Sequence, residues 1–90
     1  MNKTDLIDRI ALQADVPKAI ASRTLEATLR LIEGALKNDE SVTLVGFGTF
    51  IAGSRQARVG RNPRTGSSIR IESAKVPKFR PGKALKDALN

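Results

Sequence analysis

Ninety residues bound this chain to one domain with a modest core, because a chain so short buries only about 60 to 65% of the surface its unfolded form exposes. It has no cysteine, which excludes disulfides and thiolate metal sites, and no histidine, which removes the commonest general base and metal ligand. The net charge of +7 is unevenly spread: residues 1–50 hold six Lys/Arg and seven Asp/Glu, giving −1, whereas residues 51–90 hold ten and two, giving +8.

A field this one-sided costs self-repulsion and suits a polyanion; the plain alternative is a basic soluble protein with no anionic partner, and an acidic protein or membrane surface is a further possibility. The opening "MNKTDLIDRIALQADV" carries acids within its apolar pattern and no long apolar run. It is therefore expected to be neither a signal peptide nor a membrane span, and the protein is expected to stay in the cytoplasm.

Residues 2–14 predict a short helix. Asn2 suits the N-cap with Asp5 at the third helical position, and Leu6, Ile7, Ile10, Ala11 and Ala14 recur at three- and four-residue spacing. Asp15, Val16 and Pro17 break it, and Pro17 suits the first turn of a second helix over roughly 18–37. In that helix Arg23, Glu26, Arg30, Glu33 and Lys37 fall within one sector of about 80°, and the apolar residues spread over about 200°. So wide an apolar arc needs cover beyond one short helix. Either a second chain or the sheet of the same chain supplies it.

Asn38 and Asp39 end the helix, and Val42 and Leu44 alternate with Thr43 in a first strand. "GFG" makes a tight connection to a second strand that places Phe50 and Ala52 on one face. Two extended segments joined by "GRNPRTG" then predict a long β-hairpin whose outer half has too few large apolar groups to bury, so it is expected to be mobile until bound. "SAKVPKF" leads back, and Pro81 and Gly82 precede a short helix with Leu85, Ala88 and Leu89 on one face.

The nine carboxylates are scattered, with no paired or metal-like cluster, and "GFGTF" lacks the spacing of a phosphate loop. No catalytic residue, metal or cofactor is expected. The hairpin is different. Arg55, Arg58, Arg61 and Arg64 recur every three residues without an acid between them, and such guanidiniums suit phosphates, where each neutralised charge releases condensed counterion. Arg70, Lys75, Lys78, Arg80, Lys83 and Lys86 extend the positive surface, although ordinary solubilising charge accounts for the last five equally well. Pro63 is either a simple turn former or an apolar wedge that enters a base step and kinks a duplex. The only aromatics, Phe47, Phe50 and Phe79, sit in apolar strand contexts, which disfavours base stacking of the kind single-strand and RNA readers use.

"LVGFGTF", "GRNPRTG", the terminal "GKALKDALN" and the opening "MNKTDLID" together resemble the bacterial histone-like HU proteins, particularly the β type, over the whole chain. The resemblance implies an α+β fold: an N-terminal helical hairpin, a three-stranded antiparallel sheet with a long protruding β-ribbon arm, and a short C-terminal helix, assembled as an intertwined dimer. Residues 1–40 would be the dimerisation base, 41–82 the sheet with its arm at about 55–75, and 83–90 the last helix. Minor-groove binding with a wedge is the mode already recognised for this family, and the resemblance carries it over: Pro63 would intercalate, Arg55, Arg58, Arg61 and Asn62 would line the groove, and Lys3, Arg80, Lys83 and Lys86 would hold the flanks. Leu29, Ile32, Leu36, Leu44, Phe47, Phe50 and Phe79 would form the dimer core.

Arg64 stands where the family more often has glutamine, Gly53 and Ser54 where charged residues are frequent, and Pro17 where a serine cap is usual. The implied function is bending and compaction of duplex DNA in the nucleoid, favouring nicked, bent or flexible sites, by a homodimer or a heterodimer with a sister subunit. The sequence-specific relative, integration host factor, is the near alternative; its β-type chain has an arginine where Val45 stands here. A basic RNA-binding protein and a protein-interaction module are the others.

Overall fold

The computed structural model describes residues 1–55, 58–71 and 74–90, with backbone alone at Arg55, Arg58, Val59 and residues 69–71. The order is α1 (Lys3–Ala14), α2 (Lys18–Lys37), β1 (Val42–Leu44), β2 (Gly48–Arg55), β3 (Arg58–Arg61), β4 (Ser68–Ile71), β5 (Ala74–Pro81) and α3 (Lys83–Leu89). The expected α+β class and element sequence are found. The chain divides into two compact units, Met1–Gly34 and Ala35–Asn90.

In the first unit a capping box starts α1: Asn2 Oδ1 accepts the Asp5 N–H at 2.9 Å, and the Asp5 carboxylate accepts the Asn2 N–H at 3.2 Å. Two orphan donors are thereby satisfied. Pro17 acts one position earlier than expected, outside the helix, where its carbonyl accepts the first bonds of α2 from Ile20 and Ala21 at 3.0 Å. Two ion pairs tie the helices together, Lys3 with Glu26 and Lys18 with Asp8. Among the described residues only Ala11 and Ala21 are buried hydrophobics, so the apolar arc of α2 is largely open, with Leu29 and Leu31 exposed.

In the second unit, α2 ends in a reverse turn centred on Asp39, which holds the left-handed φ of 60°. The Glu40 N–H reaches the Ala35 carbonyl at 2.8 Å and the Asp39 N–H reaches that of Leu36 at 3.1 Å. This is the Schellman pattern with an aspartate where glycine is usual.

β1, β2 and β5 form an antiparallel sheet in the order β1-β2-β5. The β1–β2 connection is a turn closed by the Phe47 N–H on the Leu44 carbonyl at 2.9 Å, and Gly46 at its third position has a φ of 85°, which only glycine adopts without strain. Gly48 serves packing instead. A Cβ there would lie 2.5 Å from Phe79 Cζ and 2.6 Å from the Arg80 carbonyl oxygen.

The register sets Val42 and Phe79 on either side of Phe50, and Thr43 and Arg80 on either side of Thr49. Strand alternation therefore gives the sheet two unlike faces. One carries Val42, Leu44, Phe50 and Phe79; the other carries Thr43, Thr49, Lys78 and Arg80. β3 and β4 make a separate two-stranded ribbon, and its pairs keep step with the sheet: Arg55 opposes Ala74, and Arg58 opposes Ile71.

Candidate nucleic-acid interface

The ribbon closes through residues 62–67, so Gly60 and Arg61 belong to β3 and the turn is shorter than "GRNPRTG". Asn62 organises it. Its N–H donates to the Ser67 carbonyl at 2.9 Å, its carbonyl accepts from the Gly66 N–H at 2.8 Å, and its side-chain Oδ1 accepts from the Arg64 N–H at 2.9 Å. Thr65 and Ser67 share a hydroxyl bond of 2.6 Å, and Gly66 takes a φ of 74°. With the loop closed by these bonds, Pro63, Arg64 and Thr65 stand exposed at its end.

Arg61 is exposed at the loop's base. Arg58 and Arg70 hold ladder positions opposite Ile71 and Val59, and Arg55 opposes Ala74; where their guanidiniums reach lies outside the described residues. Lys78 and Arg80 share the polar face of the sheet and are exposed. Among the described residues Arg61, Arg64, Lys78, Arg80 and Lys86 form no ion pair with an acid.

Three other expected cations are engaged within the chain. Lys3 pairs with Glu26, and its hydrogen bond and charge, helped by Arg30, hold the Glu26 carboxyl below the usual glutamate range against a smaller opposing effect of desolvation. Lys83 pairs with Asp87 one turn on at 2.7 Å. That order, cation first and acid last, opposes the helix dipole of α3 and so gives the helix little. Lys75 donates to the Lys37 carbonyl at 3.1 Å and meets both carboxylate oxygens of Asp39, at 3.1 and 3.2 Å.

The expected core residues Leu29, Leu44, Phe47 and Phe79 are each only about half covered within one chain, at 44, 42, 45 and 38% exposure. Ile32, Leu36 and Phe50 are partly covered. Phe79 nevertheless gathers the other two rings, with centroids 5.4 Å from Phe47 and 4.9 Å from Phe50, both tilted, as ring quadrupoles favour. Sequence reasoning missed the structural work of Asn62, Thr65 and Ser67. The signal was present, because Asn before Pro favours a side-chain-closed turn.

Among the described residues no group of three or more acids could hold a metal, and no helix is long and apolar enough to cross a membrane.

The family model described as bacterial DNA-binding protein matches residues 1–90. DNA-binding protein HU-beta of Pseudomonas aeruginosa is 59% identical over 90 residues, the whole of both chains. HU-beta of Escherichia coli K12 is 57% identical, again over the whole of both. Among solved structures, a co-crystal of Anabaena HU with DNA is similar at a TM-score of 0.89 and 42% identity, covering 99% of this chain and 97% of that one. HU from Thermotoga maritima gives 0.71 and 34%, with both chains fully covered.

Proposed function

Since the chain belongs to the bacterial DNA-binding protein family, we propose that it is a non-enzymatic architectural protein that binds duplex DNA without sequence preference, bends it and compacts it in the nucleoid. The observation that carries this reading is the loop of the ribbon: an exposed proline between Arg61 and Arg64, on a turn that Asn62 closes from within. The ribbon's arginines neutralise phosphates along the minor groove while Pro63 enters a base step, the mode already recognised for architectural proteins of this family. Arg55, Arg58, Arg61, Arg64 and Arg70 serve the groove; Lys78 and Arg80 on the polar sheet face, with Lys3, Lys83 and Lys86, hold the flanks. Lys3 and Lys83 would exchange an acidic partner for a phosphate.

The working unit is two copies. A single chain buries no large side chain among the described residues and leaves Leu29, Phe47 and Phe79 half open, far short of what a stable domain needs. A second copy against the apolar sheet face and the open arc of α2 supplies the missing cover, and displays two ribbons to one duplex.

Because bending cost depends on the stiffness of the site, nicked, gapped or kinked duplexes should bind more tightly than intact ones. Band-shift titration of intact, nicked and RNA duplexes at two ionic strengths, with protein of measured oligomeric mass, tests this. Tighter binding to nicked DNA and a steep fall with salt are expected; equal or tighter binding to RNA duplex would refute the reading.

A further inference from the structure

We infer that Lys75 is a positioning residue that fixes the root of the DNA-binding ribbon, in place of the phosphate contact expected from its charge. The inference rests on the function proposed above.

The turn after α2 creates the need. In the Schellman pattern the carbonyls of Ala35 and Leu36 are satisfied by the backbone, and that of Lys37 is left over. The turn also places Asp39 in a left-handed conformation, unfavourable for a residue with a Cβ, and sets its carboxylate beside the negative end of the helix dipole. Glycine or asparagine would be the ordinary occupant. One ammonium answers both defects, because Lys75 Nζ has three protons and meets three acceptors: the Lys37 carbonyl at 3.1 Å and the two Asp39 oxygens at 3.1 and 3.2 Å.

Strand register gives a second and independent reason. Lys75 lies opposite Ser54, and alternation along β5 puts it on the face of Pro77 and Phe79. Lys78 and Arg80 lie on the other face. Lys75 therefore does not share the polar face that these two cations present. Its place on the ladder is one pair in from Arg55 opposite Ala74, the last described pair before the ribbon. The clamp joins the end of α2 to the strand from which the ribbon extends.

Five proteins test this: wild type, Lys75→Met, Asp39→Asn, the double variant of these two, and Lys75→Arg. Asparagine tolerates the left-handed turn, so the second variant removes charge without breaking the turn. Without DNA and at fixed protein concentration, Lys75→Met should raise the unfolding constant roughly two- to fivefold in the wild-type background, the range of an exposed ion pair, and by a smaller factor beside Asp39→Asn, where the bond to the Lys37 carbonyl is what is left to lose. On DNA, Lys75→Met should lower affinity by the same factor at every salt concentration, giving a line parallel to wild type on log axes. Lys75→Arg should restore both.

An equal stability cost in both backgrounds would overturn the clamp. A line flatter by about 0.9 would overturn it in favour of a direct phosphate contact, and coincident lines would overturn the positioning role. Failure of wild type itself to bind duplex would count against the proposed function alone, since the stability measurements need no DNA.

Discussion

At the loop of the ribbon the backbone hydrogen bonds converge on Asn62, which leaves Pro63 with no structural duty beyond its fixed φ. Replacing Pro63 by Ala should therefore leave the loop closed and most non-specific affinity intact, while reducing the bend angle and the preference for nicked duplex. Energy transfer between dyes at the ends of a short duplex reads the bend, and an unchanged angle would refute the wedge. The resemblance puts Asn62 in the groove, yet its side chain is committed to the Arg64 N–H. The identity of such a residue is legible in sequence; its partners depend on which way the loop folds back. Lys3 shows the same limit from the other side, since nothing in the spacing of residues 3 and 26 announces their pair. With the folded-state pKa of Glu26 lowered by Lys3, the pair's stabilisation is complete above the ordinary glutamate range near pH 4 and is lost as pH falls through the depressed value. Lys3→Met should thus lower the unfolding midpoint at neutral pH, and the two proteins should converge in acid. A constant gap across that range would assign the effect to packing.

Among the elements, the two N-terminal helices were the most legible because period and caps agree: Asn2 and Asp5 form the box their spacing suggests, and α2 spans the expected 18–37. The end of α2 was less legible, since a left-handed aspartate lacks the glycine that usually marks such a turn. In sequence the glycines of "GFG" make one tight connection, and the structure separates them. Gly46 supplies a positive φ, whereas Gly48 makes room for Phe79. Gly48→Ala should consequently destabilise by about 1 to 3 kcal/mol, because the Arg80 carbonyl, part of the β2–β5 ladder, cannot yield as a side chain would. Gly34 provides the contrast. It lies inside α2 with nothing within 4 Å of an added Cβ, so Gly34→Ala should stabilise by about 0.5 to 1 kcal/mol. Urea unfolding of both variants at one protein concentration checks the pair. Equal effects would mean that helix propensity and steric room do not govern these sites.

For the molecule as a whole, the decisive quantity is the apolar surface that one chain leaves open. Sequence periodicity showed that the arc of α2 needed more cover than α1 gives, but could not say whether the sheet or a second chain supplied it. Within one chain Leu29 remains 44% exposed and Phe79 38%, and the described residues include no fully buried large side chain. Folding and pairing should accordingly be one event. The melting midpoint should then rise with protein concentration, as mass action requires when the native state is a dimer. Phe79→Ala should cost about 3 to 5 kcal/mol, the loss of a fully buried ring, rather than the smaller cost of one left more than a third open. Calorimetry over a hundredfold range of concentration, with sedimentation to fix the mass, measures both. A midpoint independent of concentration would mean that the open face is tolerated by a lone chain. Two ribbons would then not be presented to one duplex as a preformed pair, and each chain would have to meet the DNA singly.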